Sequence, residues 1–260
     1  MEIFTIVLAS FFAVISPVGA LLDKVVENFV RSRIYSVEQI AVRIDNTPSY
    51  TITQGHLDHL RLATRGIQPL ENLRLEAVEL ETDPIDVNIN SLQQGHLLES
   101  LRHPLEGALR LELKESDLNR ALASPKIKAM LEKMLNKLVP AEADRQFKIL
   151  EITGKFLKNN TFVITTKLEQ TDNPQPLELT LESSLRLIGG HSLQLIEPSG
   201  TLNGRKLSSR LLKGFADGLN EHLDLRLLEK SGITVRVLQL KVEENTLYLA
   251  IFARLAPIKK

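Results

Sequence analysis

The chain has 260 residues, 43% of them hydrophobic, and its 32 basic and 32 acidic side chains cancel. That composition supports a folded core rather than disorder, and zero net charge supplies no global field for nucleic acid. The absence of cysteine excludes a disulfide framework and thiolate metal sites, and the absence of tryptophan argues against stacking platforms for bases or sugars.

The run from Ile3 to Leu22 carries no charge, and its polar members are Thr5, Ser10 and Ser16. A helix needs about 20 apolar residues to cross a bilayer core, so the run is just long enough. Ser16-Pro17 reads as an N-cap followed by proline at the first helical position, which divides the run into Ile3–Ile15 and a new helix. The first piece has the length of a signal-peptide core, and Val18-Gly19-Ala20 offers small residues for cleavage, yet no lysine or arginine precedes it. An uncleaved anchor, a cleaved signal and a buried or interfacial helix all remain open. Lys24, Arg31 and Arg33 follow the run and, taken alone, would put the body of the protein on the cytoplasmic side. Residues 1–22 are assigned as a hydrophobic anchor or signal segment, and residues 23–260 as a single α+β domain.

The period turns helical at Leu21, with Leu22, Val25, Val26, Phe29 and Val30 on one stripe and Asp23, Lys24, Glu27 and Arg31 opposite. Strand patterns follow. Leu57, Leu60 and Leu62 lead to a predicted turn around Gly66, and Leu73, Leu75 and Ala77 alternate with Arg74 and Glu76. The phase slips at Val78, which predicts a bulge. Ile85, Val87 and Ile89, and then Leu109, Leu111 and Leu113, each alternate with polar residues, the mark of antiparallel strands with one wet face. Ser116 caps a second helix whose stripe, Leu118, Ala121 and Leu122, is interrupted by Pro125 and continues through Ile127, Met130, Leu131, Met134, Leu135 and Leu138. Strands resume at Ile149 and Ile152, turn at Lys158-Asn159-Asn160, continue through Phe162 and Ile164, through Leu177, Leu179, Leu181, Leu185 and Leu187, and turn again at Gly189-Gly190. A third helix carries Leu207, Leu211, Leu212, Phe215, Leu219 and Leu223, and a last hairpin turns at Glu243-Glu244-Asn245. Strands arriving consecutively argue for a largely antiparallel α+β fold. The nearly all-aliphatic strand faces suit either an ordinary core or an interior that encloses acyl chains.

No catalytic constellation emerges. The chain has no G-x-S-x-G elbow, no glycine-rich phosphate loop and no H-E-x-x-H. His56 and His59, three apart in a strand-like stretch, fall on opposite faces, and no shared metal or cofactor is expected. Asp83 and Asp86 read as a turn running into solvated strand positions. Gly214 and Gly218 form a G-x-x-x-G on the third helix, which predicts tight packing of that helix on the sheet.

Several pieces resemble the LmeA-type phospholipid-binding family: Val42-Arg43-Ile44-Asp45, Gln54-Gly55-His56-Leu57-Asp58-His59-Leu60-Arg61-Leu62, Thr64-Arg65-Gly66-Ile67, Leu80-Glu81-Thr82-Asp83-Pro84-Ile85-Asp86-Val87, and Glu115-Ser116-Asp117-Leu118-Asn119 at the entry to a helix. The resemblance covers roughly residues 20 to 255. Family members often carry Gly-Phe-Pro-Phe where this chain has Asn46-Thr47-Pro48-Ser49-Tyr50. The resemblance implies phospholipid binding in the cell envelope, on the extracytoplasmic side, and kinship with tubular lipid-binding folds. The resulting expectation is a long curved, largely antiparallel sheet packed around amphipathic helices, after an N-terminal hydrophobic helix. The chain would bind phospholipid acyl chains without catalysis, reach the membrane through its N-terminal segment, and leave room for an envelope protein partner. The residues expected to line the apolar groove are Leu122, Met130, Met134, Leu211, Phe215, Leu219, Leu249 and Ile251. The alternative is a non-enzymatic envelope scaffold or assembly factor with an ordinary packed core.

Overall fold

The computed structural model describes residues 31, 34–93, 97–138, 146–170 and 173–257. The uncharged run 3–22, the amphipathic stripe that follows it and the cleavage site lie outside the described residues. Within them the fold is mixed α+β, and the strands are antiparallel in every pairing described. In chain order the strands are β1 (Ser36–Asp45), β2 (His56–Leu57), β3 (His59–Leu70), β4 (Leu73–Thr82), β5 (Ile85–Asp86), β6 (Leu105–Lys114), β7 (Phe147–Leu157), β8 (Thr161–Gln170), β9 (Asn173–Ile188), β10 (Ser192–Leu202), β11 (Arg205–Lys206), β12 (Ile233–Glu243) and β13 (Thr246–Leu255). The helices are α1 (Ile89–Gln93), α2 (Leu97–Ser100), α3 (Glu115–Ala123), α4 (Pro125–Leu138) and α5 (Ser209–His222), with 3-10 turns at Ser49–Gln54 and Leu225–Ser231.

One long sheet was the expectation; the structure has two main sheets instead, of order β1-β3-β4-β6-β13-β12 and β11-β10-β9-β8-β7, with a small β2-β5 pair. Alternation along a strand reports which of its faces are wet, and it is silent about which strands are neighbours. The chain divides into two compact units, residues 1–112 with 225–239 and 248–260, and residues 113–224 with 240–247.

In the first unit the six-stranded sheet sorts its residues by register. Val42, Leu62, Leu80 and Leu109 stand opposite one another on the core face, and Ala41, Ala63, Glu79 and Arg110 stand opposite one another on the other. Leu60, Leu62, Val78, Leu80, Leu109, Val235, Val237 and Ile251 are buried. Two sequence expectations are corrected here. Gly66 lies inside β3, not in a turn; its φ is +58°, and a Cβ there would stand 2.1 Å from the Glu38 carboxyl carbon. Glycine is required by that left-handed φ, and the Glu38 carboxylate, which crosses β3 to meet Arg74 at 2.8 Å, lies in the space above it. The phase slip at Val78 is not a bulge either. Thr64, Val78 and Leu111 stay in register, and the β3–β4 shift falls between Ile67 and Leu70. Ala77 and Val78 are both buried, so the slip records a change in which face of β4 is covered. Of the stretch Ile85 to Ile89, only Ile85–Asp86 is strand, and Ile89 opens α1.

In the second unit the five-stranded sheet is flanked by helices at both edges. The helical stretch after β6 breaks at Ser124, before Pro125, because proline clashes with the preceding turn. Ser124 then accepts from the Ile127 N–H at 3.3 Å. The tip of the β12–β13 hairpin belongs to this unit. The Glu115 N–H donates to the Asn245 carbonyl at 2.9 Å, and the Val242 N–H donates to Asn160 Oδ1 at 2.7 Å.

Candidate functional site

Strand β7 is an edge strand, and its outward backbone groups need partners. Side chains of α3 and α4 supply them. Phe156 N–H donates to Glu115 Oε2 at 2.7 Å. Gly154 N–H donates to Asn119 Oδ1 at 2.7 Å, and Asn119 Nδ2 donates to the Gly154 carbonyl at 2.9 Å. Lys128 Nζ donates to the Leu150 carbonyl, Ile149 N–H donates to Glu132, and Asn136 both accepts from and donates to the Phe147 backbone. Glu115 and Asn119 are one helical turn apart, as are Lys128, Glu132 and Asn136, so one polar stripe lies along the strand. At the other edge Leu195 N–H donates to Asn220 Oδ1 at 2.7 Å, and Leu193 N–H donates to the Leu223 carbonyl at 3.2 Å, which fixes α5 on β10.

The helices also approach the sheet face, and two glycines of the sheet permit it. A Cβ on Gly154 would stand 2.9 Å from Leu118 Cδ2, and one on Gly200 would stand 3.3 Å from Leu212 Cδ2. The glycine expected to serve close packing, Gly214 of α5, has nothing within 4 Å of its Cβ position. That part of the G-x-x-x-G reading is corrected: close approach is permitted by Gly154 and Gly200 of the sheet rather than by Gly214.

Between these flanks lies the face of β8 and β9. Register puts Ile164 opposite Leu181, Thr166 opposite Leu179 and Leu168 opposite Leu177, all on the face that α3 and α5 touch. Leu168 is buried, whereas Phe162, Ile164, Leu177, Leu179, Leu181, Leu185 and Leu187 are only half-buried. Ile127, Leu131 and Leu135 of α4 are half-buried too, next to the stripe spent on β7. Among the described residues, the buried apolar side chains of this unit are Ala121, Leu122, Ile149, Phe156, Leu168, Leu212, Ala216 and Val242; the first unit has more than twice as many. The second unit thus has a half-buried aliphatic sheet face with helices at its edges. Its reverse face is wet. There Lys167 sits 2.7 Å from Glu151, which holds that carboxyl below its ordinary value through a hydrogen bond and Coulomb attraction.

The eight groove residues expected from sequence are spread over both units. Leu122 is buried beneath α3, Phe215 and Leu219 of α5 are half-buried, Met130 is exposed, and Leu211 is 59% exposed. The side chain of Met134 lies outside the described residues. Leu249 and Ile251 are in the first unit, half-buried and buried respectively. The half-buried leucines of β9 and the polar stripe of α3 and α4 were missed as site residues. The i, i+4 spacing of Lys128, Glu132 and Asn136 was the signal available for that stripe.

A depression of about 460 Å³ lies on the outer face of the first unit's sheet, where Ala41, Ala63, Ala108 and Ala250 stand beside Leu238. Its arginines are already paired: Arg43 with Asp45 at 2.9 Å, Arg61 with Glu81 at 2.9 Å, and Arg110 with Glu79 at 3.5 Å. No unspent charge there faces a ligand. His56 bonds Asp58 at 3.2 Å and His59 bonds the Thr82 carbonyl at 3.1 Å, so the two histidines have separate partners. No group of three or more potential metal ligands occurs among the described residues. Asp86 is held by Arg102 at 2.8 Å. Tyr50, in the loop that departs from the family pattern, is 64% exposed.

The segment Glu115–Asn119 has a structural use for nearly every residue. Glu115 and Asn119 bond β7, Leu118 packs over Gly154, and Asp117 is buried and paired with Arg120 at 3.0 Å. Comparison with curated proteins and with solved structures gives no match. The profile of the LmeA-like phospholipid-binding family matches residues 13–252. A match over nearly the whole length, on a chain whose family-like segments fold as described, establishes that the protein belongs to the LmeA-like phospholipid-binding family.

Proposed function

We propose that the protein binds phospholipid by laying acyl chains along the aliphatic trough of the second unit, in the cell envelope, without making or breaking a bond. The observation that carries this reading is the half-buried face of β8 and β9, Ile164, Leu177, Leu179 and Leu181, between helices whose polar side chains are committed to the sheet edges. Each acyl methylene removed from water there contributes about 0.8 kcal/mol. A trough of leucine and isoleucine has no fixed hydrogen-bond pattern to match, so it accepts chains of varied length. The family relationship supplies the ligand class. The same reading gives the uncharged run 3–22 the role of holding the protein at the membrane, with the folded units on the extracytoplasmic side. No helix among the described residues is long and apolar enough to cross a membrane.

The test is solvent extraction and native mass spectrometry of the purified protein. Phospholipid in stoichiometric amount, displaced by added detergent or fatty acid, is the expected result. A protein free of lipid that takes up none from vesicles would sink the proposal and favour an envelope scaffold with an ordinary core.

A further inference from the structure

We infer that the corner formed by β11 and the start of α5 is a docking surface for an anionic phospholipid bilayer, with Leu211 entering the interface. The corner is built tightly. The pairs Thr201↔Lys206 and Leu202↔Arg205 close β11 on β10, the Leu207 N–H donates to the Gly200 carbonyl at 3.0 Å, and Ser208 caps the helix through the Leu211 N–H at 3.3 Å. Four cations, Arg205, Lys206, Arg210 and Lys213, stand on this scaffold, all exposed. No carboxylate occurs between Glu197 and Asp217, and none of the four makes an ion pair among the described residues. Most other arginines described are paired, so Arg205 and Arg210 depart from that habit.

Their position is also unfavourable for the helix itself. The first turn of α5 carries no acid, and Arg210 lies in it, where the backbone dipole favours negative charge. Fold stability gives no reason for that placement; an external anion does. Leu211, beside Arg210, is the most exposed large aliphatic side chain on any described α-helix, at 59%. An apolar side chain flanked by arginine and lysine is the composition that enters the headgroup boundary while cations engage anionic lipid. Charge complementarity and the exposed leucine together therefore select a bilayer carrying anionic headgroups over a neutral one. The docking stands whether or not the trough holds an acyl chain, because lipid extraction reads the trough and vesicle response reads the corner.

The chain lacks cysteine, so Leu211→Cys in the full-length protein takes a single polarity-sensitive fluorophore. The labelled protein is reconstituted with vesicles of phosphatidylcholine alone, or of phosphatidylcholine with phosphatidylglycerol, and Asp83→Cys serves as an exposed control. The expected result is a blue shift at position 211 on the anionic vesicles only, reversed by high salt. Arg205→Glu with Arg210→Glu should weaken it by at least about 20-fold, at roughly fivefold for each cation lost. Salt reversal needs no variant and keeps the test decisive if the double variant misfolds. A probe that stays in water on anionic vesicles overturns the inference. So does a shift that is equal on both vesicle types and indifferent to salt, since the four cations would then play no part in it.

Discussion

Two substitutions to tryptophan, at Leu179 and Leu212, separate a trough from a core. Leu212 is 5% exposed, and its Cδ2 is in close contact with the space above Gly200. Indole there must displace packed atoms, and overpacking of this kind costs about 1–3 kcal/mol. Leu179 lies on β9 opposite Thr166, on the half-buried face. On the proposed reading indole there enters space that an acyl chain would occupy, so the stability change should stay within about 0.5 kcal/mol. The ligand bears the cost instead. An indole about 6 Å long blocks roughly 4–5 methylenes, each worth about 0.8 kcal/mol, so the ceiling on lost affinity is about 3–4 kcal/mol. A chain that reroutes around the obstacle recovers part of this, and a drop of at least about tenfold should remain. Denaturant melts measure the first quantity, and competitive displacement of a fluorescent phospholipid measures the second. The reasoning is refuted if Leu179→Trp destabilises as much as Leu212→Trp, or if it leaves phospholipid affinity unchanged.

Three further outcomes can be checked. Asn119→Ala strips both backbone groups of buried Gly154 of their partner and should cost about 2–4 kcal/mol, whereas Asn136→Ala, at the wetter end of β7, should cost about 1 kcal/mol or less; equal losses would contradict the account of this edge. The Thr47 N–H, 2.7 Å from Asp58 Oδ2, and the neighbouring His56 hold the Asp58 carboxyl below its ordinary value of 3.8. Its contribution is therefore complete above that value and is lost as pH falls through the lowered one, so hydrogen exchange at Thr47 should accelerate only at that acid end, and protection that already fades near neutral pH would exclude Asp58 as the cause. Removal of residues 1–22 should move the protein from the membrane fraction to the soluble fraction with its melt intact, and an unfolded or insoluble product would assign the run Ile3–Leu22 to the domain interior.

Much of the local structure was legible because its causes are local. Asn159 and Asn160 have positive φ, as do Gly189, Gly190 and Asn245, and each turn was marked by residues that tolerate it. Pro125 announced the break between α3 and α4. Sheet membership was not legible, because Leu109 and Leu181 alternate with polar neighbours in the same way yet belong to different sheets. Gly66 was misread because glycine usually marks a turn, and nothing in its neighbours signals a positive φ inside a strand. The aliphatic character of the site was visible in Leu177, Leu179 and Leu181. Their incomplete burial was not, since it depends on helices standing at the sheet edges rather than over its centre. Leu211 read as part of a groove stripe because helical phase cannot distinguish the side of a helix that meets a wall from the side that meets solvent.

The committed edge of β7 has a consequence for colloidal behaviour. On the proposed reading, an aliphatic trough open to water invites self-association whenever its acyl chain leaves, and an unpaired strand alongside it would let a second chain extend the sheet indefinitely, as fibrils grow. Glu115, Asn119, Lys128, Glu132 and Asn136 occupy the positions through which such growth would propagate. Emptied molecules that meet through their leucines can therefore stick, but this edge offers no template, and the encounter stays shallow and reversible. An open hydrophobic surface becomes more tolerable once most of the backbone beside it is already engaged.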